Sequence, residues 1–372
     1  VTTFPHYAEN EVEKKYQDKF IQQEEVRGIK IIRTYIYTSG NKDRLIVRLL
    51  NYVSFNLITT LVGIFSGKQD VIIAPSPPLT IGLSAAIIGF IKQIPYIYNV
   101  QDVNPDVLIK LGILKNKLII KVFKWLEKYV YRNAKHITVL SRGFKKNLIN
   151  KGVPDEKIST IPNFVDEEFI KPQPRENSFR DRYSLNGKFV VLYAGNLGHS
   201  QNLEHLIESA SMIENHKDIA FVIVGNGSRK LFLTEKAREM DLQNVQFIPF
   251  QQRKEVPNIY AAADVSLVTL KKNIALDSVP SKMYTIMGSE RPVLAAVDEG
   301  SDAWRLIQKA ECGLCVPPED PQELKDAIEF LYYNPEIRRD MGKKGRAYVV
   351  ENHTREVVGK KYHQLLTTSI EI

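Results

Sequence analysis

Short apolar runs rich in β-branched residues recur along the chain, and each is followed by a turn and then by a helical pattern. The runs occupy residues 71–74, 96–100, 136–140, 189–193, 221–224, 265–268 and 292–295. Near-continuous apolar strands that alternate with helices are typical of parallel sheets covered on both faces. The pattern therefore predicts an α/β protein.

One polar, aperiodic segment interrupts this series and predicts a linker at residues 166–187. The 372 residues suit two α/β domains, which we expect at 1–165 and 188–353. A last helix within 354–372 is expected to cross back to the N-terminal domain. A doubly wound domain usually opens with a strand, a Gly-rich turn and a helix. That unit is not evident at Val1, so we expect the first domain to be truncated there.

Two Gly-rich turns directly follow apolar strands in the second domain. The first contains Gly195, Asn196 and Gly198, with a helix expected from Gln201, and the second is Gly225-Asn226-Gly227-Ser228. Glycine lets the backbone approach a phosphate, and a helix N-terminus offers free N–H groups. Tight turns also use glycine with no ligand. Neither turn matches a dinucleotide or Walker motif, which weakens NAD and ATPase readings.

Lys282 is predicted to lie in the first turn of a helix that Pro280 and Ser281 open. A cation at that place opposes the helix dipole. Binding a diphosphate would explain the lysine, and an ordinary surface lysine is the alternative.

The net charge of +8 suits an anionic partner without choosing among phosphates, lipid and nucleic acid. Residues 115–135 combine lysines with apolar and aromatic residues at helical spacing, which is typical of a helix on an anionic bilayer. The membrane contacts expected from this pattern are Lys117, Lys121, Lys124, Trp125 and Lys128. The alternative is an ordinary helix with a solvated lysine face. Residues 79–91 are too short, and 45–65 too polar, to span a bilayer.

Cys312 and Cys315 have C-x-x-C spacing, but no further Cys or His stands nearby to complete a zinc site. We interpret them as small core residues. Two cysteines provide no disulfide framework, which fits a reducing cytoplasm. The opening residues lack the pattern of a secretion signal. We therefore expect a cytoplasmic protein that is peripheral at a membrane surface.

Several separated motifs resemble family 4 of the retaining glycosyltransferases, in the family's order. They are Pro75-Ser-Pro-Pro, residues 100–106, Ile161-Pro-Asn-Phe-Val-Asp166, Gly195-Asn-Leu-Gly198, Pro249-Phe250, Ser278-Val-Pro-Ser-Lys282 and Arg291-Pro-Val-Leu294. The chain is most similar to bacterial enzymes of the colanic-acid, O-antigen and capsule type. The resemblance implies a GT-B fold, in which two Rossmann-like domains with parallel sheets face each other across a cleft.

The resemblance also implies the chemistry. A sugar would pass with retained configuration from a nucleotide-sugar donor, UDP-linked and possibly an N-acetylated amino sugar. The acceptor would be a lipid-linked glycan in surface polysaccharide biosynthesis. No metal and no cofactor are implied, since protein groups neutralise the diphosphate.

Site residues follow by position in the family's motifs. The phosphates are expected near Gly195, Asn196, Gly198, Gln201, Ser281 and Lys282, with Gly225 and Asn226 in the same cleft. Pro249 and Phe250 would lie by the base, Thr285 by the ribose, and Asp277, Val279 and Pro280 by the sugar. Lys282 and Asp277 are the expected catalytic residues, with Asp102 for acceptor orientation or proton handling. Asp102 is equally interpreted as a helix cap.

The chain departs from the family at two places. Two glutamates eight positions apart are replaced by Asp277 and Thr285, and a basic pair on the first glycine turn is replaced by Asn196 and Gln201. Lys282 would supply the missing charge, so we expect an altered grip on the donor.

Two other classes remain open. One is a nucleotide-sugar epimerase of GT-B fold, which would need no acceptor. The other is an inactive fragment or a non-catalytic binding protein. No nucleic-acid partner is expected, since no nucleic-acid-binding motif is present.

Overall fold

The computed structural model describes residues 1–5, 12, 14–38, 45–274 and 279–370. Strands and helices alternate and build two α/β domains, as the apolar runs predict. Predicted residues Asp277 and Ser278 lie outside the described ranges.

The N-terminal domain contains a parallel sheet in the order β4-β5-β6-β7 and a smaller sheet in the order β1-β3-β2. Its strands are β1 (Thr2–Thr3), β2 (Ile21–Val26), β3 (Ile29–Thr34), β4 (Ile72–Pro75), β5 (Tyr96–Val100), β6 (His136–Val139) and β7 (Ile158–Thr160). Its helices are α1 (Leu45–Phe65), α2 (Thr80–Lys92), α3 (Asp106–Lys110), α4 (Lys117–Asn133) and α5 (Arg142–Asn150). The antiparallel β2–β3 hairpin was not predicted.

The C-terminal domain is a parallel sheet in the order β10-β9-β8-β11-β12-β13. Its strands are β8 (Phe189–Asn196), β9 (Ile219–Asn226), β10 (Val245–Ile248), β11 (Val265–Thr269), β12 (Val293–Ala296) and β13 (Gly313–Val316). The helices from the linker onward are α6 (Ser178–Arg182), α7 (Glu204–Met212), α8 (Lys230–Glu239), α9 (Val256–Ala261), α10 (Lys282–Gly288), α11 (Asp302–Ala310), α12 (Pro321–Tyr333), α13 (Pro335–Asn352) and α14 (Arg355–Ile370).

This is the strand order of a Rossmann fold. In that fold all strands are parallel, and the order in which they are added to the sheet changes direction between the first and fourth strands. Here the reversal lies between β8 and β11, which are paired side by side. In open α/β sheets, ligands bind in the crevice at the carboxyl ends of the strands at such a point.

Both faces of this sheet are buried, which explains why its strands are apolar at nearly every position. Along β8, Val190 and Leu192 belong to one hydrophobic cluster, while Val191 and Tyr193 belong to the cluster on the opposite face. Successive side chains of a strand point to opposite faces.

The predicted linker at 166–187 contains α6, whose Arg180 is fully buried against the C-terminal domain. Arg180 pairs with Asp264 at 2.8 Å and donates to the carbonyl oxygens of Ala262 and Leu185. Asp264 also binds Arg175 and accepts a hydrogen bond from the backbone N–H of Val190. This ion pair holds the linker to the start of β8.

Helix α14 follows the C-terminal domain and contacts the N-terminal one. Thr354, just before α14, forms a parallel bridge with Val165. Within α14, the hydroxyl of Tyr362 accepts a hydrogen bond from the Asn99 amide of β5 at 2.6 Å. The two domains are therefore tied by side chains far apart in sequence.

The two cysteines are core residues, as predicted. Cys312 is fully buried in a hydrophobic cluster, and burial raises the pKa of both thiols to about 12. Among the described residues, no group of His, Cys, Asp or Glu side chains is placed to hold a metal ion.

We predict that Asp264→Ala destabilises the protein by about 3–5 kcal/mol, because the fully buried Arg180 loses its buried counter-charge and keeps only the exposed Glu176, 3.7 Å away. Denaturant unfolding measures the change. The control is Glu356→Gln, which removes the exposed Glu356–Lys360 pair of α14 and is expected to leave stability unchanged. A loss below about 1 kcal/mol for Asp264→Ala would contradict this role of the ion pair.

Candidate active site

The crevice at the β8/β11 reversal collects most of the predicted donor-binding residues. The end of β8 contributes Gly195 and Asn196, the turn that follows contributes Gly198, and α10 begins at Lys282 on the other side. Gly195 pairs with Gly225 and Asn196 with Asn226 in the β8–β9 register, which brings the second glycine turn alongside.

The two glycine turns pack against each other at closest approach. A Cβ at Gly225 would lie 1.9 Å from the carbonyl oxygen of Gly195, and both glycines have φ near +150° (152° and 153°). Gly225 is buried, whereas Gly195 and the two asparagines are exposed. Gly225 therefore packs on the buried side of the first turn, and the exposed side of that turn faces the crevice.

Lys282 reaches from α10 to this turn. Its Nζ lies 3.5 Å from Oε1 of Gln201 and 3.8 Å from the centre of the Tyr193 ring. A Cβ at Gly195 would approach the ammonium to 3.1 Å, so the glycine leaves the space that the lysine uses. Desolvation lowers the pKa of Lys282 to about 7. In the described part of the chain, no carboxylate forms an ion pair with it.

Tyr193 is a site residue that sequence reasoning missed. Its hydroxyl lies 2.7 Å from the backbone oxygen of Asn196 and 3.2 Å from Oε1 of Gln201, and its ring lies beneath the ammonium of Lys282. Burial raises its pKa, so the phenol stays protonated. Tyr193 lies on the buried strand β8, two residues before Gly195. In the sequence it belongs to an apolar run, which marks it as a core residue and not as a site residue.

The helix after the first turn starts later than predicted. We expected it from Gln201, but α7 begins at Glu204, because Asn202 is in the left-handed conformation with φ of 48°. Gln201 ends a short 3₁₀ turn, and its backbone oxygen accepts from the Thr269 hydroxyl at the end of β11. Gln201 is thus held against the neighbouring strand.

The remaining donor-side residues surround the same strand ends. Pro249 and Phe250 follow β10, and the Phe250 ring is 54% exposed. Pro280 and Ser281 directly precede α10 as predicted, although Ser281 makes no side-chain cap. Thr285 is half-buried one turn into α10.

The segment before α10 also meets the N-terminal domain. Val279 packs against the hydrophobic cluster of that domain, and Leu111, after α3, packs against the cluster of the C-terminal domain. Lys110 donates to the backbone oxygen of Asn273 at 3.3 Å. The crevice is therefore closed on one side by the other domain.

The facing wall of the N-terminal domain carries a polar layer at the ends of its strands. Asn99 donates to the hydroxyls of Thr138 and Tyr362, and the Gln101 amide donates to Asn99. Asp102 follows directly and is half-buried. The position before α3 is Pro105, so Asp102 does not occupy the cap position considered for it. Sequence reasoning missed Asn99 and Tyr362.

Two family profiles match consecutive parts of this chain. The profile described as Glycosyltransferase Family 4 matches residues 21–169, and Glycosyl transferases group 1 matches residues 174–348. The chain belongs to the family 4 glycosyltransferases.

Curated relatives agree with this assignment. A probable glycosyltransferase of Pseudomonas aeruginosa, WbjE, is 26% identical over 79% of this chain and 74% of its own length. A putative colanic acid biosynthesis glycosyl transferase of Escherichia coli K12, WcaI, is 25% identical over 88% of this chain and 82% of its own.

Solved structures confirm the GT-B fold. Anabaena HepE in complex with UDP-glucose aligns with a TM-score of 0.71 at 18% identity, over 88% of this chain and 84% of that one. WaaG, a glycosyltransferase involved in lipopolysaccharide biosynthesis, aligns with a TM-score of 0.65 at 13% identity, over 91% and 87%.

Helix α4 of this glycosyltransferase has two apolar stripes on different faces. Leu126 and Val130 are buried in the core, whereas Leu118, Val122, Trp125 and Tyr129 are 71%, 54%, 64% and 38% exposed. The latter recur every three or four residues and so share one face. We call this second set the outer stripe of α4.

Lysines line the outer stripe as predicted. Lys117, Lys121, Lys124 and Lys128 are all exposed. No helix within the described residues is long and apolar enough to cross a membrane.

We predict that Lys282→Met weakens nucleotide binding by at least tenfold, since hydrogen bonds to a charged group contribute about 1.5–3 kcal/mol. The same change should stabilise the free glycosyltransferase. The folded-state pKa of Lys282, about 7, lies below the ordinary 10.5, so folding disfavours its charged form.

The stabilisation should be largest below pH 7 and should vanish as the pH approaches 10.5. Melting temperatures at pH 6.5 and pH 9.5 measure it, with the exposed Lys272→Met as control. A melting temperature that falls at both pH values would contradict a desolvated ammonium at this position.

Proposed function

We propose that this glycosyltransferase moves a sugar from a UDP-linked donor to a lipid-linked saccharide during surface polysaccharide biosynthesis. The observation that carries the proposal is the position of the Lys282 ammonium at the sheet's reversal point, beside Gln201 and over the ring of Tyr193. A cation without a carboxylate partner in the described chain is matched to an anion that arrives with the substrate. UDP and UDP-glucose are bound in the similar HepE structures.

The proposed reaction retains the configuration of the anomeric carbon. The leaving diphosphate departs as the acceptor hydroxyl approaches the same face, and it accepts the hydroxyl's proton. Negative charge then builds up on phosphate oxygens, where preorganised donors are most effective. Lys282 is the proposed donor from α10, and the exposed residues Gly195 and Asn196 are proposed to face the phosphates from the first turn, whereas the N–H of Leu197 donates to Asn226.

Metal independence follows from the same argument. Lys282 would neutralise diphosphate charge that a bound cation neutralises in other enzymes. Asp102, beside the polar layer of Asn99 and Gln101, is proposed to orient the acceptor. Pro249 and Phe250 are proposed to contact the base, Thr285 the ribose, and Asp277 the sugar.

The relatives support a role in polysaccharide biosynthesis. WcaI is described as a colanic acid biosynthesis enzyme, and this chain aligns over most of its length. The proposed lipid-linked acceptor would be held at a bilayer, which suits the outer stripe of α4 and its lysines. We propose peripheral binding at the inner face of the bacterial cytoplasmic membrane.

Calorimetric titration with UDP, GDP and ADP, with and without magnesium, tests the donor. We expect UDP alone to bind, equally well in both conditions. Binding that requires magnesium would refute the metal-independent mechanism, and preference for GDP or ADP would refute the UDP assignment. With a UDP-sugar alone, rapid epimer formation would favour an epimerase, and NMR of the product anomer tests retention.

We predict that Leu118→Ser reduces co-flotation with vesicles containing phosphatidylglycerol by several-fold, because it removes an apolar anchor from the outer stripe. The matched control is Leu231→Ser in α8 of the other domain, since both leucines are 71% exposed. Equal flotation of the two variants would contradict membrane contact through α4.

A further inference from the structure

A groove of about 980 Å³ lies beside the outer stripe of α4, between the C-terminal half of α2 and the end of α4. Its volume lies within the range of ~300–1,000 Å³ that is typical of small-molecule pockets. Ile87, Phe90 and Ile91 of α2 form one wall, and Tyr129 of α4 belongs to the other.

The groove is separate from the donor crevice. Pro95 and Tyr96 at the start of β5, together with Lys135 and His136 at the start of β6, line it. The crevice lies at the opposite, carboxyl ends of these strands. At about 3.3 Å per residue, the β5 strand puts about 16 Å between them.

The apolar part of the groove opens onto the outer stripe. Phe90 and Ile91 are 78% and 52% exposed, whereas most of the preceding residues of α2, apart from Ile87, are buried or half-buried. Tyr129 stacks on Trp125 with ring centres 5.7 Å apart, so the apolar surface runs without a break from groove to stripe. Helix α1 packs on α2 and exposes Leu57, Leu61 and Phe65 at four-residue spacing.

The other end of the groove is cationic. Lys135 and Lys157 line it together with His136, whereas Glu156 is the acidic residue among its lining groups. Burial lowers the pKa of His136 and of Lys157, and for His136 the nearby Lys157 and Lys145 add to this effect. An apolar trough with a positive end is complementary to a molecule with a hydrocarbon chain and an anionic head.

We propose that this groove binds a single anionic phospholipid of the bilayer, with an acyl chain between α2 and α4 and the headgroup phosphate at Lys135 and Lys157. The site rests on the proposed membrane contact and adds to it a stoichiometric lipid. One anionic lipid bound at a defined site would fix the orientation of α4 on the bilayer. An amphipathic helix that only lies on the surface has no such fixed orientation.

Short-chain lipids below their critical micelle concentration test the groove without a bilayer. Calorimetry with dihexanoyl phosphatidylglycerol should give saturable binding at one lipid per chain, and dihexanoyl phosphatidylcholine should bind at least tenfold more weakly. One further methylene in the bound chain should tighten binding by up to about fourfold, since each buried methylene contributes ~0.8 kcal/mol.

Ile87→Asn places an amide in the apolar wall and should weaken phosphatidylglycerol binding about tenfold. Its matched control is Ile149→Asn in α5, since both isoleucines are 39% exposed and Ile149 lies outside the groove. Lys135→Gln should remove the preference for the anionic headgroup. Equal affinity of the Ile87 and Ile149 variants, or no saturable binding, would overturn the proposal.

Vesicle flotation of the same variants separates the two hypotheses. Flotation that persists without binding of the monomeric lipid overturns the groove and leaves the α4 contact standing. If the unaltered protein does not float with the vesicles, the membrane contact itself is refuted. Saturable binding of monomeric phosphatidylglycerol would in that case still support the groove.

Discussion

The donor site depends on one close backbone contact, that of Gly225 with the carbonyl oxygen of Gly195. Any side chain at Gly225 would meet that oxygen at 1.9 Å and push the first turn into the crevice. The same turn leaves, at Gly195, the space into which the ammonium of Lys282 projects. The two glycines therefore act as a pair. Gly225 allows the close packing of the two turns, and Gly195 leaves space for the ammonium of Lys282.

The first turn also meets a cation from another element. Lys282 comes from the opposite side of the sheet's reversal point, and its ammonium lies beside Gln201. Tyr193 supports it with its ring face, which interacts favourably with a cation. Lys282 and Gln201 are thus neighbours in the structure although they are 81 residues apart in sequence. A desolvated amine costs folding free energy, and such costs are typical of functional sites.

Much of the fold could be predicted because both domains bury both faces of their sheets. Runs such as 96–100 and 189–193 are apolar at nearly every position for that reason. The β2–β3 hairpin was missed because its half-exposed strands read as polar, with Gln22 and Glu24 among them. The start of α7 was misplaced because Asn202 takes a left-handed conformation that the Gly-rich context did not mark.

The site could be predicted only where a local motif marks it. Lys282 and the glycine turns stand in such motifs, and the structure brings them together. Tyr193 looks like any other apolar strand residue, and its role depends on a lysine from a distant helix. Asn99 and Tyr362 are 263 residues apart, so only the return of α14 to the N-terminal domain unites them. Long-range pairing of this kind leaves no periodic signal in one sequence.

The central claim is that the ammonium of Lys282 binds the donor diphosphate, and its own titration measures this most directly. NMR of the protein with isotope-labelled lysine side chains, assigned by Lys282→Arg, follows that amine with pH in the absence and presence of UDP. The account predicts a pKa near 7 in the free protein and about 8–10 with UDP, since a nearby opposite charge raises an amine's pKa by ~1–3 units. A pKa that UDP leaves unchanged at saturation would contradict it.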